Sequence, residues 1–319
     1  MSMDINDASP SSLSHMVGQR GVVDQLRVAL DAAFEDNKHL DDCLLVGPPG
    51  VGKTQIASIL AQELAVNCHE ALGQSITCVA DLNALLLSAR DGEIVFLDEA
   101  HQLHKLFQTS LYLAVDKRQV VICGSKAVQS IPLANFCLLL GTTDEFSLLQ
   151  PLRDRMKMVL RFQFYGVEEL TLIVRHRAKA LGWEIEGAVP LMIGQRSRGT
   201  PRLALRLLAA ARRVSRSQGE QIITLAHLQK ACLLEGLDEL GLGPTDQAYL
   251  KALADGASRL NVIATLIGLP ARTVSDVVEP FLIRAGLVMK DDQGRRQLAA
   301  LGREHLLKSC GIAVQIEEK

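Results

Sequence analysis

An α/β domain with a parallel sheet, followed by two smaller domains, is the fold class that this sequence predicts. Short β-rich runs alternate with helical periods as far as residue 165, which is typical of a parallel sheet covered by helices on both faces. Helical periods alone continue to residue 240, and the last segment combines helices with two short strands. The predicted domains therefore span residues 1–165, 166–240 and 241–319.

Composition narrows the class of protein. Of the 319 residues, 48% are hydrophobic and 22% are charged, as expected for a chain that buries cores. The longest apolar runs have about five residues where a membrane helix needs ~20, and the acidic, serine-rich start has no signal-peptide pattern. Seven cysteines without a CxxC pair favour free thiols in a reducing compartment. We expect a cytoplasmic protein without a membrane segment.

The elements of the first two domains follow in chain order. Apolar spacing predicts a helix over 21–34, and a β-rich run over 43–46 precedes a glycine-rich turn and a helix over 55–65. A strand over 94–97, a hairpin over 120–131 and a buried strand over 137–140 come next. The second domain is predicted to consist of helices over 168–181, 188–196, 201–217 and 225–234.

The last domain is predicted to be a winged helix, a variant of the helix-turn-helix. Its helices are expected over 245–254, 260–267 and 273–285, with Pro280 kinking the third, and its strands over 287–289 and 295–298. The net charge of −2 excludes a generic nucleic-acid binder. Any DNA contact must therefore come from a few arginines on one small module.

The strongest chemical signal is a glycine-rich loop between a strand and a helix. The pattern G-x-x-x-x-G-K-[ST] is matched by Gly47, Pro48, Pro49, Gly50, Val51, Gly52, Lys53 and Thr54, with Gln55 next. In such a loop the backbone N–H groups converge on phosphate oxygens, the lysine approaches the β- and γ-phosphates, and the hydroxyl can bind Mg²⁺. A plain strand-to-helix turn is the weaker alternative. ATP and Mg²⁺ are the expected cofactors.

Polar residues at the ends of two later strands fit the same chemistry. Asp98 and Glu99 follow four apolar residues, where Asp98 can hold Mg²⁺ and Glu99 can polarise the water that attacks the γ-phosphate. Thr143 ends the next strand, where its hydroxyl can sense the γ-phosphate or position water. A solvated strand end is the alternative. His101 and His104 have a metal-ligand spacing, but without a third ligand we favour surface or packing roles.

This order of motifs resembles the AAA+ ATPases, and nearly the whole chain resembles one of their families, RuvB. The similar segments include GPPGVGKTQIASILAQELAVN, VFLDEAHQLH, GTTDEFSLLQPLRDRM, GTPRLALRLL, EGLDELGLGPTDQAYLKAL and VVEPFLIRAGLV. The resemblance implies an α/β P-loop NTPase domain of the AAA+ type, a helical lid and a C-terminal winged helix. It further implies ATP hydrolysis in a hexameric ring that drives branch migration of Holliday junctions in DNA recombination and repair.

The resemblance also implies roles for residues around the nucleotide. Arg155 becomes the arginine finger that reaches the neighbouring subunit's nucleotide, with Arg153 as the competing candidate. Arg202 becomes a second sensor that touches the γ-phosphate from the lid, and Tyr165 becomes a nucleotide contact. These roles rest on the resemblance alone.

Two further surfaces follow from the same resemblance. Arg295, in the predicted wing, and Arg303 become contacts to the DNA backbone. The hairpin near 120–131 lies where the family docks its partner, RuvA, so a RuvA-like protein is the implied partner.

The chain departs from the family pattern at several places. Residues 8–10 are Ala-Ser-Pro where the family has a Leu-Arg-Pro that grips the nucleotide, and Gln55 replaces a second threonine. Asp144 and Glu145 follow Thr143 where the family has an arginine, and the hairpin is shorter. These departures indicate a diverged member or a paralogue.

Two other functions stay open on the residues alone. A loader or remodelling ATPase acting on a protein partner at DNA would use the same nucleotide site. A catalytically silent assembly subunit is disfavoured by the intact Lys53, Asp98, Glu99 and Arg155. Arginines of the last domain discriminate between the first two, since a motor on duplex DNA needs phosphate contacts; the candidates are Arg272, Arg284, Arg295, Arg296 and Arg303.

Overall fold

The structure divides into two compact units, residues 1–209 and residues 210–319. The computed structural model of the chain describes Ile5 and residues 8–123 and 128–317. Within those ranges no helix is long and apolar enough to cross a membrane.

A five-stranded parallel sheet forms the centre of the first unit. The strands of this unit are β1 (Cys43–Val46), β2 (Cys68–Leu72), β3 (Ile94–Asp98), β4 (Gln119–Cys123), β5 (Val128–Pro132), β6 (Cys137–Thr142) and β7 (Met158–Arg161). The sheet has the order β2-β3-β6-β1-β7, and β4 and β5 form a separate antiparallel hairpin. This confirms the predicted parallel sheet and the predicted hairpin.

Helices flank this sheet and continue beyond it. They are α1 (Arg20–Glu35), α2 (Lys53–Glu63), α3 (Val79–Ser88), α4 (Lys105–Lys117), α5 (Gln150–Arg153), α6 (Val167–Ala180), α7 (Val189–Arg196) and α8 (Pro201–Ser217). The sequence predicted α1, α2 and α6 to α8 to within two residues at each end, and it did not predict α3, α4 or α5.

The three central strands explain where the functional residues meet. β1, β3 and β6 are buried almost throughout, with Leu44, Phe96 and Leu139 fully buried. Since β6 pairs in parallel with both β1 and β3, the carboxyl ends of all three strands lie at the same edge of the sheet. The glycine-rich loop, the Asp98-Glu99 pair and Thr142-Thr143 follow directly at that edge.

Helices and one antiparallel strand pair make up the second unit. Its elements are α9 (Leu225–Leu234), α10 (Pro244–Ala254), α11 (Leu260–Ile267), α12 (Ala271–Thr273), a π-helical turn (Val274–Val278), α13 (Glu279–Arg284), β8 (Val288–Lys290), β9 (Arg296–Leu298) and α14 (Ala300–Glu317). A core around Tyr249, Leu250 and Leu282 joins α10, α11, α13 and the strands. The predicted three-helix-and-wing arrangement is present, and α14 was not predicted.

The third helix of this module differs from the prediction of one kinked α-helix over 273–285. The chain instead passes from α12 through the π-helical turn into α13, in which Pro280 is the second residue. A proline has no N–H to donate, and its ring clashes with the carbonyl four residues earlier in a regular α-helix. The wider π turn ends directly before Glu279 and relieves both conflicts.

Candidate active site

The glycine-rich loop brings a lysine back onto its own backbone. Gly52, with φ +105°, ends the loop in a left-handed conformation, and α2 begins at Lys53. The Lys53 ammonium donates to the carbonyl oxygens of Gly47 (2.8 Å) and Pro48 (3.0 Å). Lys53 is only 5% exposed, and burial lowers its pKa although Glu99 and Asp98 oppose that shift. Its charge therefore has only weak carbonyl partners there, which a phosphate can displace.

A hydroxyl and a carboxylate meet at the start of α2. The Thr54 Oγ1 donates to Asp98 Oδ2 at 2.8 Å, and the other oxygen of Asp98 accepts from the Glu99 N–H at 2.8 Å. Adjacent ligands of an octahedral Mg²⁺ with ~2.1 Å bonds lie about 3 Å apart. The two oxygens of Thr54 and Asp98 thus have the separation and the hard-donor chemistry that this ion requires.

Glu99 stands at a sharp turn beyond β3. Its φ of +49° is left-handed, and a short 3₁₀ turn begins directly after it. Its carboxylate lies 3.5 Å from Thr143 Oγ1 and 3.4 Å from His101 Nδ1. The structure thus brings the two predicted polar strand ends together.

The two histidines of this segment have different surroundings. The His101 Nδ1 also lies 3.2 Å from Thr142 Oγ1, so His101 belongs to the polar group around Glu99. Sequence reasoning gave His101 only a surface or packing role, although its place two residues after Glu99 was a usable signal. His104 instead caps α4, where its Nδ1 accepts from the Leu106 N–H.

A cavity of about 990 Å³ lies in front of the loop. Its lining comes from the N-terminal segment, the loop with Lys53 and Thr54, the Asp98-Glu99 pair, Tyr165, α6 and the start of α8. Of the predicted residues, Pro49, Gly50, Gly52, Lys53, Thr54, Gln55, Asp98, Glu99, Tyr165 and Arg202 line it. Gln55 turns its side chain to the N-terminal segment, donating to the Pro10 carbonyl at 3.2 Å.

Tyr165 and Arg202 also line the cavity. The Tyr165 hydroxyl donates to the Val51 carbonyl at 3.1 Å, and burial raises the pKa of Tyr165 to about 12. The ring packs so tightly on Gly18 that a Cβ there would lie 2.8 Å from it. Arg202 follows Pro201 at the start of α8. A Cβ added to Gly50 would lie 3.0 Å from the Cβ of Arg202, so the two residues are closely packed.

The two arginines after β6 lie elsewhere. Neither Arg153 nor Arg155 is among the described residues that line the cavity. The Arg155 Nε donates to Asp116 Oδ1 on α4 at 2.7 Å, and this contact raises the pKa of Arg155. The Arg153 guanidinium stacks 5.2 Å from the ring of Phe146, and its Nε is buried without a hydrogen-bond partner in the described structure.

The acidic departure after Thr143 has a local structural use. Asp144 caps a short 3₁₀ turn by accepting from the Ser147 N–H at 3.2 Å. Glu145 accepts two hydrogen bonds from Arg161 on β7, at 2.6 and 3.0 Å, and these lower the pKa of Glu145. Neither residue is among those that line the cavity.

The hairpin and the wing are the two other predicted surfaces. Val121 and Ile122 are exposed on β4, and the hairpin tip over 124–127 lies outside the described residues. On the wing, Arg295 is exposed, and Arg303 is exposed in α14. Among the described residues neither has a carboxylate within ion-pair distance.

A buried carboxylate pairs with Arg296, one of the arginines that the sequence offers as a DNA contact. Glu279 is fully buried and accepts from Arg296 (2.7 Å), from Lys290 (2.7 Å) and from the Tyr249 hydroxyl (2.9 Å). Burial opposes the charge of Glu279, but these three hydrogen bonds outweigh it and lower its pKa. Arg272 also has an acidic partner, since it pairs with Asp276 at 3.3 Å.

The fold and the site define a P-loop ATPase of the AAA+ class that carries a helical lid and a winged helix. Three family models match in series: the Holliday junction DNA helicase RuvB P-loop domain over residues 8–162, the RuvB AAA lid domain over 165–238, and the RuvB C-terminal winged helix domain over 239–307. The chain belongs to the RuvB family.

Relatives and solved structures agree with this assignment. The "Holliday junction branch migration complex subunit RuvB" of Fervidobacterium nodosum is 37% identical over 294 residues, covering 90% of this chain and 85% of the relative. The protein of the same name from Corynebacterium diphtheriae is 37% identical over 302 residues, with 92% and 83% covered. The structure of the Thermotoga maritima RuvB Holliday junction branch migration motor superposes with a TM-score of 0.82 at 35% identity, covering 94% of this chain and 98% of that one.

Proposed function

We propose that this chain is an ATP-dependent DNA motor that drives branch migration of Holliday junctions in DNA recombination and repair in the cytoplasm. The observation that carries the proposal is the group of nucleotide-directed residues that line one cavity, in a chain that also has a winged helix; these residues are Lys53, Thr54, Asp98, Glu99, Tyr165 and Arg202. The relatives named as branch migration subunits support the choice of DNA substrate. We take residues 1–165, 166–240 and 241–319 as the P-loop, lid and winged-helix domains.

Within the cavity each residue has a role that its position supports. We assign Lys53 to the β- and γ-phosphates, because its present partners are two displaceable carbonyls. Thr54 and Asp98 are assigned to Mg²⁺, which when bound neutralises phosphate charge. Glu99 is assigned to orient the attacking water, with Thr143 beside it, and Tyr165 and Arg202 to hold the nucleotide.

We propose that Arg155 completes the site of a neighbouring subunit in a hexameric ring. Arg155 lies outside its own cavity, and its contact with Asp116 is an exposed ion pair of the kind that is easily exchanged. An arginine finger contributes roughly 10³–10⁵ in turnover in other NTPases. Arg155→Ala is therefore expected to bind ATP normally and to hydrolyse it poorly.

Mixing two inactive variants tests the ring. A ring of Arg155→Ala and Lys53→Ala subunits contains interfaces with one intact finger and one intact loop, so some activity should return. Native mass spectrometry gives the subunit number and verifies that the variants assemble together. Co-assembly without any recovered hydrolysis would contradict a finger acting between subunits. Normal hydrolysis by Arg155→Ala alone, together with recovered hydrolysis in mixed rings of Arg153→Ala and Lys53→Ala, would assign the role to Arg153.

For DNA we assign Arg295 and Arg303 to backbone contacts, and we assign the hairpin of β4 and β5 to a RuvA-like partner. The proposed function is tested by the ATPase rate of the full chain with and without a four-way junction, and by strand exchange of that junction with a RuvA protein added. We expect stimulation by the junction and branch migration that needs ATP. ATP hydrolysis that responds to neither duplex nor junction DNA would instead favour a loader that remodels a protein partner.

The variant Glu99→Gln is the internal control for these assays. The amide keeps the size of the side chain and removes its charge, so binding should persist while hydrolysis falls by roughly 10²–10⁴. Hydrolysis at the wild-type rate would show that another residue orients the water.

A further inference from the structure

Arg177 is a buried arginine for which the described part of the chain offers no acidic partner. It lies on α6, is only 7% exposed, and lines the cavity. Among the described residues no carboxylate lies within ion-pair distance of its guanidinium, and burial lowers its pKa. A buried charge of this kind is costly unless it makes hydrogen bonds that compensate for lost water. Its hydrogen-bond partner is the backbone carbonyl of Ile5.

The N-terminal segment that carries this carbonyl is held from a second side as well. Gln55 on α2 donates to the Pro10 carbonyl, five residues after Ile5. Further along, Glu63 at the end of α2 accepts from the Ser12 hydroxyl at 2.8 Å and from the Leu13 N–H at 2.7 Å. The segment is thus fixed to α2, the helix that begins in the glycine-rich loop, and to α6.

The segment contributes described residues to the lining of the cavity, among them Ile5, Ala8, Ser9 and Pro10. Its residues Ala8, Ser9 and Pro10 face the same space as Lys53 and Tyr165. The position of these lining residues, and with it the exit of a bound nucleotide, depends on the hydrogen bonds that hold the segment to α2 and α6. Loss of the attachment on α6 would free the start of the segment while leaving the glycine-rich loop intact.

We propose that Arg177 is a positioning residue that holds the N-terminal segment over the cavity and so slows release of nucleotide. The inference rests on the proposed nucleotide binding. A hydrogen bond from a charged donor has a typical strength that corresponds to a change of about tenfold or more when it is lost. Because Arg177 itself lines the cavity, direct contact with the nucleotide is the alternative to exclude.

The test measures dissociation of a fluorescent ADP analogue from the full chain by stopped flow. Arg177→Ala is expected to release the analogue about tenfold faster than the wild type. Arg175→Ala, an exposed arginine on the same helix, is the matched control and should release it at the wild-type rate. A chain that starts after residue 7 lacks Ile5 and should release it as fast as Arg177→Ala.

Combining the two changes separates positioning from direct contact. If Arg177 acts through the segment, Arg177→Ala has no further effect in the shortened chain, since coupled changes are not additive. A full effect of Arg177→Ala in the shortened chain would overturn the inference in favour of direct contact. Should Arg177→Ala fail to fold, the shortened chain alone decides, because release at the wild-type rate overturns the inference. A wild-type chain that binds no analogue would overturn the proposed function as well.

Discussion

Lys53 in the first unit and Arg296 in the second are both cations with little exposure, yet their surroundings are opposite. Lys53 donates to two backbone carbonyls, whereas Arg296 forms a two-pronged ion pair with the buried Glu279. Carbonyl oxygens are weak partners, and an anionic ligand that replaces them forms stronger, charge-assisted hydrogen bonds with the cation. A carboxylate already forms such bonds with its arginine. A cation's place in a motif therefore does not say whether its charge is available to a ligand.

Breaking the Glu279 cluster should give the largest effect. Glu279→Ala leaves Arg296 and Lys290 without their acidic partner, and removal of one side of a buried ion pair typically costs about 3–5 kcal/mol. Chemical denaturation of the full chain, followed by circular dichroism, should show an early transition of the winged helix. The control is Glu304→Ala, which removes an exposed pair with Lys308 and should cost less than about 1 kcal/mol. Equal stability of the two variants would mean that the cluster is not a stabilising one.

Removing the cation Lys53 should lower the affinity for a ligand and leave the stability of the fold nearly unchanged. Lys53→Ala deletes a charge that has only carbonyl partners, so stability should change little while affinity for ATP falls about a hundredfold. Equilibrium titration with a fluorescent ATP analogue measures this. Lys38→Ala, an exposed lysine paired with Asp36, is the control. Affinity of Lys53→Ala within threefold of the wild type would contradict the phosphate role.

The central part of the fold could be read from the sequence because it is buried on both faces. β1, β3 and β6 are continuous apolar runs, and all three were predicted. β2 and β7 are the two edges of the sheet, and the sequence of β2, Cys-His-Glu-Ala-Leu, alternates only weakly between buried and exposed positions. The absence of an apolar run explains why β2 was missed, whereas β7, Met-Val-Leu-Arg, has such a run and was missed in spite of it.

The candidate site likewise contains residues that a local pattern predicts and residues that it does not. Residues of the glycine-rich loop and Asp98-Glu99 were predictable, because a short motif fixes them next to a strand end. Arg177 and the pairing of Arg296 with Glu279 were not, because each depends on a partner far away in the sequence. Local patterns predict which residue types can bind, and long-range contacts decide which of them are free.

The wing carries two adjacent arginines that differ in their partners. Arg295 is exposed and adjacent to the paired Arg296, so Arg295→Ala should weaken binding to all duplexes alike and lower the salt slope by about one. Arg296→Lys, which keeps a cation beside Glu279, should leave that slope unchanged. Affinity measured by fluorescence anisotropy at several salt concentrations gives both numbers. A slope that falls with Arg296→Lys but not with Arg295→Ala would reverse the assignment.

The smallest expected effect is a dependence of stability on pH. The pKa of Glu279 is lowered in the folded chain, so its contribution is present above its ordinary value of 4.5 and is lost as the pH falls through the lower, folded value. The temperature at which the second unit unfolds should therefore fall on acidification below about pH 4.5. In Glu279→Gln that dependence should shrink. An identical pH profile in the two proteins would show that other carboxylates govern acid stability.

The contact between Gly18 and Tyr165 has a consequence for how this protein can change over evolutionary time. With φ at +72° and the tyrosine ring at 2.8 Å from any added Cβ, position 18 accepts no side chain while position 165 stays aromatic. The Tyr165 hydroxyl is in turn bound to the backbone of the glycine-rich loop. Position 18 should therefore stay glycine among descendants of this chain even where position 165 changes, because a smaller residue at 165 would remove the contact but not the left-handed backbone conformation.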